Sequence, residues 1–415
     1  MKVCLVNKFH YRKGGSETYY FTLAEALQAH HHEVIFFSMK DEKNLPCEQE
    51  KYFVSNASVK GGIRSRWNMV FHIAYSREAY SKMRELLEEE APDLLLLNLV
   101  HKQITLSILD AVRDYKVQSG KRMKIFWTMH DLIAVCPAYT MLNGSGRVCE
   151  ECLKGSFMPC VRNRCIKGSY LMSMLAKYEA DYIRKRKWYG EIDLFICPSE
   201  FHKRKLESAS GTNERGFSKS NIVIMRNPLS VNAEYELNDA DEGYFLYFGR
   251  LSREKGIRRL IDVSIKAEIR LLIVGTGEME EELKEYAGGH DNIEFKGFQV
   301  GETLKNYIRR CKCTVLPSEC YENGPYSAME AMALSKPLIV SNMGGLPELV
   351  ENDENGYVYD GSEKGLENCI KKMGNLPENE YRRMAQASLD RARALFNPDR
   401  YIHELETYYN ALCEV

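Results

Sequence analysis

The stretch Pro317-Ser-Glu-Cys-Tyr-Glu-Asn-Gly-Pro-Tyr-Ser-Ala-Met-Glu-Ala-Met-Ala333 decides how this chain reads. Val315 and Leu316 close an apolar run that reads as a strand. Gly324-Pro325 breaks the chain, and Tyr326 to Leu334 forms a helix that Ser335-Lys336-Pro337 stops. Glu322 then sits on the loop and Glu330 about two turns into the helix. Between them, Asn323, Gly324, Pro325, Tyr326 and Ser327 span a helix start, whose backbone N–H groups and positive dipole end suit a phosphate. A carboxylate on each side of a bound diphosphate can take hydroxyl groups, which is the geometry a nucleotide sugar requires. The competing reading is a loop salt bridge and an exposed helical glutamate.

Working outward, strands alternate with helices in both directions. Upstream, Tyr244–Phe248, Leu271–Val274, Ile293–Phe295 and Cys313–Leu316 read as strands, and Pro337–Val340 follows. Nearer the start, Val3–Val6, Glu33–Ser38, Asp93–Asn98, Ile125–Met129 and Leu194–Cys197 do the same, with Ile222–Met225 closing the set. Ser16 to Ala29 reads as a helix, as does a long stretch from about Trp67 to Glu90. Such alternation predicts parallel sheets wrapped by helices, with ligands at the carboxyl ends of the strands. Gly14-Gly15, Asn98 with His101, and His130-Asp131 fall at those ends. Pro228 and its polar surroundings place a linker near Arg226–Asn238. The expected division is 1–225, 226–398 and a last helix, 399–415, that crosses back to the first domain.

Gly249-Arg250-Leu-Ser-Arg-Glu-Lys255-Gly256 follows the Tyr244–Phe248 strand. Two cations on a glycine-bounded loop can clamp a diphosphate, Arg250 in bidentate fashion and Lys255 as a point charge. Taken alone, a basic surface turn explains this loop as well. Val274-Gly-Thr-Gly277 and Gly297 also end strands, where Gly275, Gly277 and Gly297 admit close backbone approach.

The Glu-x7-Glu spacing followed by Ala-Met-Ala, together with the Gly-Arg…Lys-Gly loop, resembles the family 4 glycosyltransferases. The resemblance implies an α/β protein of the GT-B fold, two Rossmann-like doubly wound domains facing across a cleft. It implies that Glu322 faces a donor sugar and Glu330 the ribose hydroxyls, and that Arg250 and Lys255 bind the β-phosphate. The glycines at 275, 277 and 297 would receive the nucleobase. Gly14 and Gly15 would approach the diphosphate and acceptor, and His130 would touch the donor sugar. Asn98, His101 and Asp131 are acceptor-side candidates, and Gly344-Gly345 supports the site from behind. The implied activity is retaining transfer from a nucleotide sugar, UDP-sugars first, without a catalytic cofactor. The acceptor would be a glycan or lipid-linked glycan of a surface polysaccharide. A phosphorylase, an epimerase and a catalytically silent binding subunit remain as alternatives.

Composition agrees with two soluble domains. The 415 residues exceed one ordinary core, 28% are charged and 44% hydrophobic, and the net charge of −1 gives no bias toward nucleic acid. Charge is unevenly spread: residues 1–200 hold 29 Lys and Arg against 23 Asp and Glu, a surplus of six that the remainder reverses. A basic first half suits an anionic acceptor or membrane surface, or is merely a solvated face. Met1–Val6 reads as a strand rather than a leader, and no apolar run approaches the ~20 residues that span a bilayer. The expectation is a cytoplasmic chain, at most peripheral on the inner face of the membrane.

The cysteine cluster departs from the generic family pattern, and a helical stretch after it carries a separate signal. Cys149, Cys152, Cys160 and Cys165, in a Cys-rich insertion at 136–165 with Cys136 upstream, have spacings that a structural zinc would fit. An iron–sulfur cluster and free thiols are the alternatives. Leu171, Met174, Leu175, Tyr178 and Tyr182 recur at helical spacing before Arg184-Lys-Arg-Lys187-Trp188. This segment, 167–188, reads either as a core-packing helix with a basic end or as an amphipathic helix on an anionic membrane with Trp188 at the interface. Arg64, Arg66 and Trp67 would extend the same patch.

Overall fold

The computed structural model describes residues 1–56, 74–210, 221–238 and 240–414. The chain forms two compact units, Met1–Val231 with Pro398–Val415, and Asn232–Asn397. In the first, β1 (Lys2–Val6), β2 (Glu33–Phe37), β3 (Leu94–Leu97), β4 (Lys124–Thr128), β5 (Leu194–Cys197) and β6 (Ile222–Ile224) pair in parallel in the order β2-β1-β3-β4-β5-β6. Strands covered by helices on both faces carry continuous apolar runs, and Leu94–Leu97 is buried at every position. The strand order reverses between β1 and β3, which makes their carboxyl ends the place for a ligand in this unit.

The helices of this stretch are α1 (Gly15–Ala29), α2 (Arg77–Glu90), α3 (Ser107–Ser119), α4 (Met158–Arg162), α5 (Tyr170–Arg186) and α6 (Glu200–Ser210). The helix expected from Trp67 begins at Arg77, because Ser76 stands as its N-cap and accepts the N–H of Ala79. Trp67, Arg64 and Arg66 lie outside the described residues. The core-packing expectation for α5 holds for part of its stripe only. Its buried face is Ser173, Ala176, Glu179 and Ile183; Leu175 and Tyr182 are half-buried, Tyr182 against Trp188 with ring centroids 5.6 Å apart, and Leu171, Met174 and Tyr178 are exposed. Trp188 is not at an interface. It is wholly buried, and its indole Nε1 donates to Asp110 Oδ1 on α3 at 3.0 Å.

In the second unit β7 (Tyr244–Phe248), β8 (Arg270–Val274), β9 (Ile293–Gly297), β10 (Cys313–Leu316), β11 (Leu338–Ser341) and β12 (Gly356–Tyr359) are also all parallel, in the order β12-β11-β10-β7-β8-β9. Strand order here reverses between β7 and β10. Around the sheet run α7 (Ile257–Lys266), α8 (Glu280–Tyr286), α9 (Gly301–Arg310), α10 (Tyr326–Ala333), α11 (Glu363–Gly374) and α12 (Glu378–Leu395). Phe245, Leu260, Ile273, Val315, Ile339 and Leu366 form the centre of this core.

The final helix, α13 (Pro398–Cys413), belongs to the first unit and packs on α1. Tyr401 and Tyr19 share a hydroxyl–hydroxyl hydrogen bond of 2.6 Å, and Tyr19 also bonds Thr128 on β4 at 2.8 Å. His32 Nε2 lies 2.8 Å from Glu406 Oε1.

Candidate active site

Because β7 and β10 are neighbours at the reversal, the loops that leave them run together. Glu319 N–H donates to Glu254 O at 2.8 Å, tying one loop to the other. Across this seam Lys255 Nζ donates to Glu322 Oε1 at 2.5 Å, and Ser318 Oγ donates to the same oxygen at 2.5 Å. Burial opposes the charge on Lys255, but Glu322 outweighs it and holds the ammonium above its ordinary pKa. Arg250 is 68% exposed and pairs with Glu254 at 2.5 Å, leaving its guanidinium open to a ligand. Tyr247 supports the turn by donating its hydroxyl to Arg250 O at 2.8 Å.

The backbone of Glu322 is fixed from the far side. It bridges in parallel to Gly344, and Gly345 N–H donates to Glu322 O at 2.7 Å. Gly344 has φ +68°, and a Cβ there would stand 2.3 Å from Glu322 O and 2.5 Å from Glu322 N. Gly275 serves a similar purpose. At φ +134° its missing Cβ would meet Gly249 O at 1.9 Å, and its N–H donates to Gly297 O at 2.7 Å. Gly277 packs against Leu251 O, so the strand-end glycines first of all bring three loops into contact.

Asn323, Gly324, Pro325, Tyr326 and Ser327 are all partly exposed on the approach to α10, whose N-cap, Pro325, brings no side-chain cap. Glu330 is the fifth residue of α10, so it lies a little over one turn in rather than two, at ~3.6 residues per turn. Burial pushes its carboxyl up to about 7, with Lys305 pulling the other way.

The first unit gathers a second polar cluster at its own reversal. Gly14 is the extended N-cap of α1 and Gly15 its first residue. Neither backbone angle nor packing requires glycine at 14, since a Cβ would meet only Glu17 Oε2 at 3.6 Å. Asn98 is buried and donates to Asn7 Oδ1 and to Ser16 O, each at 3.1 Å, which ties β3 to β1 and to the start of α1. His101 Nδ1 lies 3.4 Å from Glu179 Oε1, and its ring stacks on Trp127 with centroids 5.6 Å apart. His130 meets the edge of Tyr19 at 4.6 Å, and burial, aided by His202, lowers its pKa to about 3. It is therefore a neutral imidazole, and its buried Nε2 has no hydrogen-bond partner among the described residues. Asp131 accepts the N–H of Ile133 at 3.0 Å, and burial raises its pKa.

Several members of these clusters went unread in the sequence. Ser318 is four residues before Glu322, a helix-like offset inside a loop. Glu254 lies between the two cations that seemed to act alone. Glu17 is buried at the start of α1, with its carboxyl raised by burial and restrained by Asn7. Lys8 is lowered to about 8 by burial, with Lys102 and Lys13 adding repulsion. None of these carries a signal short of knowing which strand ends adjoin.

The cysteine-rich segment brings its thiols into one neighbourhood. Burial raises the thiols of Cys136 and Cys152, with neighbouring cysteines adding to the shift, and a hydrogen bond between Cys160 and Cys165 raises the first and lowers the second. Among the described residues, no group of three or more His, Cys, Asp or Glu is arranged to hold a metal ion.

Comparison with known proteins connects both units to sugar transfer. The profile of Glycosyltransferase Family 4 matches residues 13–228, just over half of the chain, and that of Glycosyl transferases group 1 matches residues 232–391. An uncharacterized glycosyltransferase of Methanocaldococcus jannaschii is 37% identical over 127 residues, 29% of this chain and 32% of the relative. A lipopolysaccharide 1,2-N-acetylglucosaminetransferase of Salmonella typhimurium is 29% identical over 183 residues, 39% of this chain and 47% of the relative. The chain thus spans between about a third and a half of the length of these curated relatives. Anabaena HepE, solved in complex with UDP and glucose, superposes with a TM-score of 0.64 at 16% identity, over 100% of both chains. At that identity the likeness is one of fold, and the two six-stranded parallel sheets carry the GT-B class. The family 4 profile over the first unit, with the group 1 profile over the second, settles the kinship: this chain belongs to glycosyltransferase family 4.

Proposed function

We propose that the chain is a retaining glycosyltransferase that moves a sugar from a UDP-sugar to a glycan or lipid-linked glycan in polysaccharide or glycoconjugate assembly. The observation that carries this reading is the Lys255–Glu322 pair at the strand-order reversal, with Arg250 exposed on the same loop. A diphosphate arriving there would draw Lys255 and Arg250 away from their carboxylates toward its own charge. Glu322, held in place by Ser318 and the Gly344-Gly345 turn, would then take sugar hydroxyls. Glu330 would take ribose hydroxyls. As the bond to the leaving diphosphate lengthens, negative charge grows on its oxygens, and Arg250, Lys255 and the start of α10 stabilise it. Front-face attack by the acceptor hydroxyl, with no metal at the diphosphate, completes the reading, and no covalent nucleophile is invoked.

In the first unit, neutral His130 offers a hydrogen bond at that unit's own strand ends. The GT-B fold shared with a protein solved with UDP supports the choice of base, and the lipopolysaccharide relative supports the class of acceptor. We also assign a structural zinc to Cys149, Cys152, Cys160 and Cys165, on their short spacing. The thiols would have to close up to hold it, and metal-free reduced protein with an unchanged melting temperature would sink that assignment.

The test is turnover of the donor. Glu322→Ala and Lys255→Ala should each reduce it by roughly two to three orders of magnitude, the scale of losing a charge-stabilising group. Their melting temperatures should stay near wild type. Turnover near wild type in both would remove the site assignment.

A further inference from the structure

Helix α5 wears its apolar stripe on the outside. Tyr170, Leu171, Met172, Met174 and Tyr178 are 55%, 66%, 43%, 38% and 37% exposed, all within its first nine residues. Short helix α4, packed against α5, adds Met158 at 50%. Scattered exposed apolar residues are ordinary, but five fall in the first nine residues of one helix, with Leu171, Met174 and Tyr178 at i, i+3 and i+7 on one face, and such a stripe marks a surface to be covered. The loop leading into α5 supplies exposed Arg164 and Lys167, which have no carboxylate partner among the described residues. Nearby Arg162 is paired with Glu151.

The far end of α5 is built differently. Arg186 pairs with buried Asp110, Trp188 donates to the same carboxylate, and Arg184 pairs with Asp181 at 2.7 Å. The helix is therefore anchored to the protein at its carboxyl end through Arg186 and Trp188, where Lys185 and Lys187 are also exposed, and presents its apolar side chains at its amino end, with Arg164 and Lys167 on the loop before it. Ser169 caps that end by accepting the N–H of Met172, so the exposed turns are folded without help from a partner.

We propose that the first turns of α5, with Met158, Arg164 and Lys167, form a docking surface for an anionic lipid bilayer. Leu171, Met174 and Tyr178 enter the boundary between headgroups and acyl chains, and the two cations lie against lipid phosphates. No helix among the described residues is long and apolar enough to cross a membrane, so the contact is peripheral. A tyrosine at each end of the stripe suits a depth where the ring is apolar and the hydroxyl wet. The proposal goes beyond donor chemistry and does not depend on it.

Full-length protein is sedimented with vesicles of phosphatidylcholine alone and of phosphatidylcholine mixed with phosphatidylglycerol. Wild type should partition onto the mixed vesicles and about tenfold less onto the neutral ones, with binding falling as salt rises. Leu171→Glu combined with Met174→Glu should lower binding about tenfold, and Arg164→Gln with Lys167→Gln should remove the preference for anionic lipid. These sites are exposed, and an unchanged melting temperature verifies that the variants fold. Failure of wild type to bind either vesicle overturns the proposal, as does equal binding by the glutamate variant. A solution dimer that the glutamate variant dissolves also overturns it, assigning the patch to a second copy of the chain. Nucleotide stabilisation, measured alongside, reports separately on the donor reading.

Discussion

Glu330 sets the pH behaviour expected of the donor site. Its carboxyl, pushed up to about 7 in the fold, is the better hydroxyl acceptor when ionised. Nucleotide affinity should therefore weaken as pH falls through about 7, and titration calorimetry on Glu330→Gln should show a flat profile. For the unliganded fold the sign is opposite. A raised carboxyl pKa means that the native state holds its proton longer, so this group's contribution to stability declines as pH rises from about 4.5 toward 7. His130, neutral in the fold down to about 3, does not titrate in the binding window, but the unfolded chain protonates it near 6.5, so its contribution to stability falls as pH drops below about 6.5 and opposes that of Glu330. An acid limb in the donor profile that persists in Glu330→Gln would mean another group controls binding. The spacing of Glu322 and Glu330 was visible in the chain, and so were the two cations of the upstream loop. That Lys255 reaches Glu322 was not, because 67 residues separate them and only the strand order joins their loops.

At the scale of elements, turns hold the functional side chains, and two buried contacts measure how tightly. Gly344→Ala forces a side chain against Glu322 O and N at a positive φ, so it should destabilise by about 1–3 kcal/mol and also slow donor turnover. Chemical denaturation and steady-state rates check both halves, and a stable but inactive variant would show that the turn places Glu322 without stabilising the fold. Asp110 gathers Trp188 and Arg186 at the anchored end of α5 while buried. Asp110→Ala leaves the buried Trp188 indole donor unpaired, while Arg186 and Arg113 are open to water, and should cost about 1–3 kcal/mol in urea unfolding. Strands with unbroken apolar runs, such as Leu94–Leu97, were legible because burial on both faces imposes that pattern. Strand β12, only four residues at the sheet edge with Gly356 at its head, imposes none, and its pairing comes from β11. Helix α5 misled for a related reason: periodicity reports that one face is apolar, not that this face points inward.

For the whole molecule, two parallel sheets that each reverse their strand order yield two clusters of polar groups at strand ends. Alternation of strands and helices predicted the sheets, and the reversal points follow from right-handed crossovers that a linear pattern does not encode. The central claim is that the second unit holds a nucleoside diphosphate between Lys255, Arg250 and Glu330. The measurement that tests it most directly is the melting temperature of the full chain with UDP, GDP and ADP, for wild type and Glu330→Ala. A ligand bound only by the native state raises that temperature by mass action. The account predicts stabilisation by UDP in wild type that is largely lost in the variant. No stabilisation by any of the three, or a shift that Glu330→Ala leaves intact, would contradict it.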